Sequence, residues 1–510
     1  MPASLRRRLE ARDSEADFAS AQQSWAEARY DDVVNRLRAA PEPRSRLLLA
    51  RTYLRRHEYR LALDALRGVR FDDADDTAIA AILRAAAAER GDSARAPRLP
   101  PELPPGTNRK VRAAADYHAA LSDWSRGELD AAAKGAERAV QAGDAEIKAL
   151  GTELQAWIEF SRGHNGAALR KFVDVLDLLA RDYKDEFVRS STLQGAAFIA
   201  VETFDFEVVP RLIAEAATLQ PTAPIARACL SVRLNLASLH ALLGDDALCY
   251  AALLGARAIV APAPFSAAAD IALAGFFRRR GSPDAAALHL DMAYKRLEGF
   301  DWSKADLEAH VIPLLFAVEA SPSGDPRAGR ALTKALSHTG KRDPLLAFEH
   351  DNRAGAMALL ARGRIEAARG NTPNASADIE KAIALWQACG DRYMTCIASL
   401  DLMRIGRTGM TPGLTSLLRK VPRSWLKAEA DRLVAASKSP FLQLSAAEQR
   451  VLEKICEGLT SRQIAKKLGR SPSTIRNQTI SIFRKLDVST RSGLVALAKK
   501  QDGPRAPLTR

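Results

Sequence analysis

The sequence predicts an all-α protein in which a superhelix of repeated helical hairpins precedes a small four-helix domain. Three observations support this fold class. Residues 10–435 are rich in alanine, keep glycine and proline mainly between segments, and show no convincing two-residue alternation of apolar and polar side chains. The turns between these segments recur at nearly constant spacing. Residues 444–498 carry the caps and turns of a helix-turn-helix.

The turns of the long helical region recur at about the length of one helical hairpin. The predicted turn glycines are Gly91, Gly127, Gly163, Gly244, Gly281 and Gly370. Direct neighbours among them are 36 or 37 residues apart, and two wider gaps leave room for two units each, with turns near Asp205 and at 321–326. This spacing is close to the tetratricopeptide period of about 34 residues. The segments around Tyr30 and Tyr59 resemble degenerate tetratricopeptide units.

Stacking of these hairpins follows from their amphipathic character. One hairpin cannot bury its apolar stripe alone, so neighbouring hairpins should pack together and form a concave groove. In repeat proteins of this kind, such a groove commonly receives a peptide, a protein partner or a small effector. A second interpretation stays open, in which the helices form an irregular scaffold that holds dimers or spaces domains.

Two proline-containing segments divide the chain. Five prolines lie within the nine positions from Pro97 to Pro105, which favours extended backbone. Pro440 is expected to stop the helix that ends near Ser437. The predicted organisation is an N-terminal helical-repeat block at 10–93, a proline-rich linker at 94–109, the main repeat region at 110–435, a linker at 436–443, the helix-turn-helix domain at 444–500 and a basic tail at 501–510.

The C-terminal segment contains start and stop signals for three successive helices. Ser445 with Glu448, and Thr460 with Gln463, form two capping boxes, in which each side chain satisfies an amide donor at a helix start. Glycines suited to the left-handed ends of helices follow both of the helices that these boxes begin. A third helix is predicted over roughly 472–486.

The third helix has two different faces. One stripe should pack on the two preceding helices and consists of Ile475, Thr479, Ile482 and Leu486. The other face carries Ser473, Arg476, Asn477, Ile480 and Arg484. In a helix-turn-helix, early residues of the second motif helix meet base edges in the major groove, where arginine pairs with guanine and asparagine with adenine. The alternative is a solvated basic face on an ordinary helical hairpin.

This segment resembles the DNA-binding domain of LuxR-type (GerE-like) transcription regulators. The resemblance covers only the end of the chain, but the matching positions extend over the whole domain. They are Leu444, Glu448, Val451, Leu452, Gly458, Thr460, Gln463, Ile464, Ala465, Leu468, Ser471, Thr474, Ile475, Arg476, Ile482, Lys485, Leu486, Val488 and Arg491.

The resemblance implies contacts with double-stranded DNA. It places Arg476, Asn477 and Ile480 at base-facing positions. Three further residues would contact phosphate or brace the fold, namely Thr474, Lys485 and Arg491. The complete set of candidate DNA-binding residues is Thr460, Ser461, Ser473, Thr474, Arg476, Asn477, Ile480, Arg484, Lys485 and Arg491.

The resemblance also implies a homodimer on paired DNA half-sites. Such half-sites lie about one DNA turn, ~10 bp, apart. The fourth helix is the expected dimer surface, through Leu494, Val495, Leu497 and Ala498.

Some positions depart from the family pattern and leave the operator sequence open. Gln478 stands where the family usually has histidine, and Thr479 replaces the apolar residue that follows it. Ile480 stands where relatives often carry a polar or basic residue, and it would instead meet a thymine methyl group. Ala447 replaces a common arginine. The fourth region of sigma factors shares the turn, but no recognisable second sigma region precedes it here.

The charge distribution favours a nucleic-acid partner. Residues 441–510 contain 14 lysines and arginines against 5 acidic residues, which supplies +9 of the whole chain's +14. The first 440 residues therefore carry only +5. A basic module on a nearly balanced body is typical of phosphate binding.

Other functional classes lack their motifs. No P-loop, nucleophile elbow or paired-histidine spacing occurs, so we expect no enzymatic activity, no metal and no cofactor. No apolar run reaches the roughly eighteen residues of a membrane span, and the N-terminus lacks the apolar core of a signal peptide. The five cysteines form no C-x-x-C pair and are expected to be buried thiols of a cytoplasmic protein.

The sequence therefore predicts a cytoplasmic, bacterial transcription regulator. Its helical repeats would sense an effector or protein partner and control a C-terminal domain that binds promoter DNA, with RNA polymerase as a further partner. The alternative is a non-enzymatic interaction scaffold whose helix-turn-helix no longer reads DNA, an interpretation that Gln478 and Ile480 keep open.

Overall fold

The computed structural model confirms the all-α class, since every regular element in the part of the chain that it describes is a helix. Residues 92–102 of the proline-rich segment, 438–443 of the second linker and 502–510 of the basic tail lie outside the described residues. The described residues are 3–56, 58–91, 103–261, 263–300, 302, 309, 311–337, 344–347, 352–406, 408–437 and 444–501.

The helices before the C-terminal domain follow one another as short antiparallel pairs. Within the described ranges, short 3-10 helices also lie between them at Ala223–Ile225 and Ser321–Ser323. The α-helices are α1 Ala3–Ala26, α2 Tyr30–Leu37, α3 Pro43–Arg55, α4 Tyr59–Ala65, α5 Ala74–Gly91, α6 Arg109–Ser125, α7 Leu129–Ala142, α8 Ala145–Ser161, α9 Asn165–Arg181, α10 Glu186–Thr203, α11 Val209–Thr218, α12 Ala226–Leu243, α13 Asp246–Arg257, α14 Ala267–Arg279, α15 Pro283–Glu298, α16 Val311–Ala320, α17 Arg327–Ser337, α18 Pro344–Ala347, α19 Asn352–Ala368, α20 Thr372–Ala388, α21 Arg392–Arg404, α22 Pro412–Arg419 and α23 Trp425–Ser437.

The turn positions predicted from the sequence separate the two helices of successive hairpins. Five of the predicted glycines have positive φ between paired helices, namely Gly127, Gly163, Gly244, Gly281 and Gly370. The glycine-free turn near Asp205 is also present, and there Phe204 adopts the left-handed conformation with φ +56°. Gly91 differs, because it is the last residue of α5 instead of a turn within a hairpin.

The N-terminal block shares its hydrophobic core with the main repeat region. Trp25 and Tyr30 belong to a buried cluster that extends through α8–α12 to α23. Three ion pairs between described residues cross the same boundary: the Arg55 guanidinium lies 3.3 Å from Asp185, that of Arg126 lies 2.9 Å from Glu89, and Arg51 pairs with Glu146. The proline-rich segment thus separates two stretches of sequence that pack against each other.

The end of the repeat array packs back onto its middle. Asn165, at the start of α9, donates a hydrogen bond of 3.1 Å to the carbonyl oxygen of Cys389, which follows α20. Arg353 of α19 makes two 2.9 Å bonds to the Glu202 carboxylate of α10. We call this junction the seam. One side of the seam is the α8–α9 turn with the end of α10, and the other side is α19 with the α20–α21 turn. The seam joins residues more than 200 positions apart in the sequence.

A second close approach joins the α12–α13 turn to the chain before α23. Gly244 has φ +82°, and a Cβ atom placed there would lie 2.5 Å from the Arg423 carbonyl oxygen. Glycine is therefore required twice at this position, for its backbone conformation and for the space beside Arg423.

We predict that Gly244→Ala destabilises the repeat region more than Gly281→Ala does. Gly281 has a similar φ of +72° but open space at its Cβ position, so alanine there should cost about 1–2 kcal/mol of left-handed strain. At Gly244 the overlap with Arg423 should add about 1–3 kcal/mol. Chemical unfolding of both full-length variants, followed by circular dichroism, measures the difference. Equal losses of stability would contradict the close approach.

Candidate nucleic-acid interface

The C-terminal domain is a four-helix unit with its own core. Its helices are α24 Ala446–Cys456, α25 Ser461–Leu468, α26 Pro472–Lys485 and α27 Arg491–Gln501. The buried residues of this core all come from the domain itself and include Val451, Ile455, Ile464, Ile475 and Ile482. The predicted packing face of the third helix is therefore confirmed at Ile475, Ile482 and Leu486.

Local hydrogen bonds fix where the first two helices begin. The Ser445 amide donates to the Glu448 carboxylate at 2.6 Å, and the Glu448 amide donates back to the Ser445 hydroxyl at 3.3 Å. The same reciprocal pair links Thr460 and Gln463, at 2.8 and 3.4 Å. Both predicted capping boxes are present.

The turn between α25 and α26 determines how the third helix is presented. Gly469 ends α25 in the left-handed conformation with φ +62°. Ser471 then caps α26 by accepting a 3.1 Å hydrogen bond from the Thr474 amide, and Pro472 takes the first helical position. A proline at this position needs no amide partner. Helix α26 can therefore begin only a few residues after α25 ends.

Helix α26 separates its buried face cleanly from its exposed face. Ile475 and Ile482 are fully buried, whereas Arg476 and Asn477 are exposed. Ile480 is 59% exposed, which is unusual for a large apolar side chain. Three more of the predicted contact residues are exposed on α26, namely Ser473, Thr474 and Arg484. We call Arg476, Asn477 and Ile480 the recognition face.

Lys485 is a brace between two helices. Its ammonium group lies 2.7 Å from the Glu448 carboxylate, and the Ser481 hydroxyl donates to the other oxygen of that carboxylate at 2.6 Å. These bonds stabilise the charged carboxylate and lower the pKa of Glu448 from its ordinary 4.5 to about 2. The bond from Lys485 has the largest effect on this pKa. The sequence reasoning identified Glu448 as a cap and did not anticipate that it also joins α24 to α26.

Arg491 also braces the domain. Its guanidinium donates to the carbonyl oxygen of Leu459, so it ties the start of α27 to the α24–α25 turn. Of the two predicted contact residues at the start of α25, Ser461 is half-buried, and Thr460 uses its hydroxyl in the capping box. The predicted set thus divides into exposed groups on α26 and residues already engaged within the domain.

The fourth helix corrects part of the predicted dimer surface. Leu494 has no exposed surface and belongs to the domain's own core, and Ala498 is only 6% exposed. They cannot present a surface to a partner in this conformation. Val495 and Leu497 are half-buried, so a dimer surface on α27 stays a prediction for these two residues.

Sequence reasoning did not select four exposed basic residues near α25. They are Arg462, Lys466, Lys467 and Arg470. These residues contribute to the positive charge counted for residues 441–510, but none of them is a position of the family pattern, so they were not selected. One expected buried thiol is also corrected: Cys456, at the end of α24, is exposed, while the other four cysteines are buried.

Residues 442–498 match the sequence profile of a family described as GerE, bacterial regulatory proteins of the luxR family. This segment is a luxR-family domain. The match coincides with α24–α26 and most of α27, and the remaining residues of the chain lie outside it. No curated protein matches the chain.

Three solved structures resemble the chain at low sequence identity. A Rap protein complexed with competence and sporulation factor is 13% identical, with coverage of 68% of this chain and 98% of its own, at a TM-score of 0.44. A monomeric IFIT1 mutant with Gppp-AAAA is 13% identical. The match covers 91% of this chain and 95% of the IFIT1 chain, at a TM-score of 0.35. A chain of the Cut9–Hcn1 hetero-tetramer of APC/C is 12% identical. The match covers 82% of this chain and 95% of that chain, at a TM-score of 0.24. All three superpositions are loose, and the repeat fold described above rests on the chain's own helices and turns.

We predict that Glu448→Gln destabilises the luxR-family domain while keeping its helix start. Glutamine still completes a capping box, but the charge that Lys485 and Ser481 stabilise is removed. The expected loss at pH 7 is about 1–3 kcal/mol, measured as faster hydrogen exchange of amides in residues 444–501. Glu457→Gln is the matched control, because Glu457 is exposed and pairs with Lys454 on the surface.

The same carboxylate predicts the pH dependence of the domain. Because the pKa of Glu448 is lower in the folded state than its ordinary 4.5, its contribution is fully present above that pH and is lost as the pH falls towards 2. The difference in exchange between Glu448→Gln and the parent protein should therefore shrink across this window. A difference that does not depend on pH would contradict the role of the charge.

Proposed function

We propose that this protein is a DNA-binding transcription regulator in which helical repeats control a C-terminal luxR-family domain. The recognition face of α26 carries this proposal: Arg476, Asn477 and Ile480 are exposed side by side on a helix whose opposite face is buried. These side chains suit major-groove base edges, because arginine pairs with guanine, asparagine with adenine and an apolar group with the thymine methyl.

The surroundings of the recognition face suit the DNA backbone. Ser473 and Thr474 carry hydroxyl groups at the N-terminus of α26, where the helix dipole favours a phosphate. Positive charge near the recognition face comes from Arg484 of α26 and from the exposed basic residues in and after α25. Lys485 and Arg491 act mainly by holding the helices in register, since both are engaged within the domain.

The remaining parts of the proposal concern partners. The repeat region senses an effector or a protein partner, the regulator binds promoter DNA in the cytoplasm of a bacterium as a homodimer, and RNA polymerase is a further partner. Val495 and Leu497 of α27 are the proposed dimer contacts. No helix in the described part of the chain combines the length and apolar character that crossing a membrane requires.

A second candidate function is a protein-interaction scaffold that does not read DNA. The 59% exposure of Ile480 favours it, because a large exposed apolar side chain in the middle of the recognition face also suits docking to a protein. In that case the domain would bind a partner through Ile480, and the basic residues around it would be solvated.

We predict that Arg476→Ala weakens binding to specific DNA by about 1–3 kcal/mol and relaxes the base preference at one position. Arg450→Ala is the matched control, since Arg450 is exposed on α24 and its loss removes the same charge away from the recognition face. The control should lower affinity for all sequences slightly and leave the base preference unchanged. Fluorescence anisotropy at several salt concentrations measures both effects.

The specific DNA for this experiment comes from sequencing genomic fragments that the full-length protein enriches. An enriched inverted repeat that both variants bind like the parent protein would contradict docking through Arg476. If no sequence is enriched, and heparin does not retain the protein, the scaffold function replaces the regulator.

A further inference from the structure

A cavity of about 700 Å³ lies at the seam. One wall comes from the α8–α9 turn and the first turn of α9, residues 163–170, together with the end of α10. The other wall comes from residues 387–399 around the α20–α21 turn and from α22. This volume is typical of sites for small molecules. Because its walls lie far apart in the sequence, a molecule bound there would contact both sides of the seam.

The cavity carries positive charge that no carboxylate neutralises. Arg170 of α9 and Arg392 of α21 both line it, and neither forms an ion pair with any described residue. Arg392 uses one nitrogen to donate a 2.5 Å hydrogen bond to the Thr203 carbonyl oxygen, so its other donors are available. Arginine presents several N–H groups in a fork that matches the oxygens of phosphates and carboxylates.

The acidic residue in the lining forms an ion pair with neither arginine. Asp391 is the only acid among the described residues that line the cavity. It is 4% exposed, and burial, followed by repulsion from Glu202, raises its pKa well above the ordinary value. The Asp391 side chain also accepts a 2.9 Å hydrogen bond from the Met394 amide at the start of α21. The carboxyl group is therefore buried and engaged at the helix start.

The lining also contains a buried polar atom without a partner. Asn165 is 5% exposed, and its amide nitrogen donates to Glu202 at 3.2 Å and to the Cys389 carbonyl oxygen at 3.1 Å. Both donors are thereby used, while its Oδ1 atom accepts no hydrogen bond. That atom has essentially no solvent-accessible surface, so it lies in the interior of the seam and a molecule in the cavity would not reach it.

We propose that the seam cavity binds a small anionic molecule. Arg170 and Arg392 hold its phosphate or carboxylate oxygens. Bound there, the molecule cross-links the two sides of the seam and stabilises one arrangement of the repeat array. This assignment names the effector class of the proposed regulator and rests on the proposed function for its effect on DNA binding.

Thermal unfolding of the full-length protein tests the assignment. The probes are glycerol 3-phosphate, glycerate and uncharged glycerol, each titrated at constant ionic strength. We expect at least one of the two anions to raise the unfolding temperature in a saturable way, and glycerol at the same concentrations to have no such effect. The anion with the lower apparent Kd identifies phosphate or carboxylate as the preferred group.

Two arginine variants make the result specific to the cavity. Arg170→Ala should weaken anion binding about tenfold and should not alter folding, because Arg170 makes no ion pair among the described residues. Arg419→Ala is the matched control: Arg419 is exposed on α22 and does not line the cavity. Equal shifts in the parent protein and both variants, or no shift with either anion, would overturn the assignment.

The DNA measurement is independent of this test. If the anion stabilises the parent protein but no DNA sequence is enriched, the cavity assignment stands and the regulator proposal fails. If DNA is bound specifically but neither anion shifts the unfolding temperature, the regulator proposal stands and the cavity assignment fails.

Discussion

The ion pair between Arg353 and Glu202 is the interaction on which the arrangement of the repeat array depends. Its carboxylate is buried, with Glu202 only 2% exposed, and Arg353 is half-buried. Arg353 makes two bonds to the carboxylate, donates to the Cys389 carbonyl oxygen at 3.2 Å and lies 3.8 Å from the centre of the Phe160 ring. Burial nevertheless raises the pKa of Glu202 above its ordinary value. The pair therefore orients α10 and α19 relative to each other more than it adds to the free energy of folding, since desolvating two charges offsets much of their attraction.

The physical character of the seam explains why a polar cavity can exist there. Apolar helix faces collapse against each other and leave few voids, as in the large cluster that joins the N-terminal block to α23. At the seam the contacts are directional hydrogen bonds between turns and helix ends. These bonds hold Asn165 and Asp391 at fixed positions beside open space. The open space thus lies where two distant parts of the array meet.

The features that sequence reasoning predicted correctly depend on residues close together in the chain. The capping boxes at Ser445 and Thr460 involve positions three apart, and the hairpin turns need only a local left-handed conformation. The burial of Ile475 and Ile482 follows from helical periodicity. These signals are complete within one helix or one turn, so tertiary packing did not alter them.

The features that sequence reasoning missed depend on contacts between distant residues. The bond from Lys485 to Glu448 needs the crossing of α24 and α26, and the burial of Leu494 needs the direction of α27 relative to the domain core. The seam and its cavity join residues separated by more than 200 positions. No periodicity or spacing encodes such contacts, because each partner looks like an ordinary polar residue at a helix end.

The cysteine distribution gives the C-terminal domain a chemical handle without any change of sequence. Burial raises the pKa of Cys229 and Cys249 to about 11 and that of Cys396 to about 12, and Cys389 is buried as well. Thiol reagents need an accessible thiolate, so under native conditions they would modify the exposed Cys456 first. A fluorophore or spin label attached there would report the position and mobility of the domain while the repeat array stayed unlabelled.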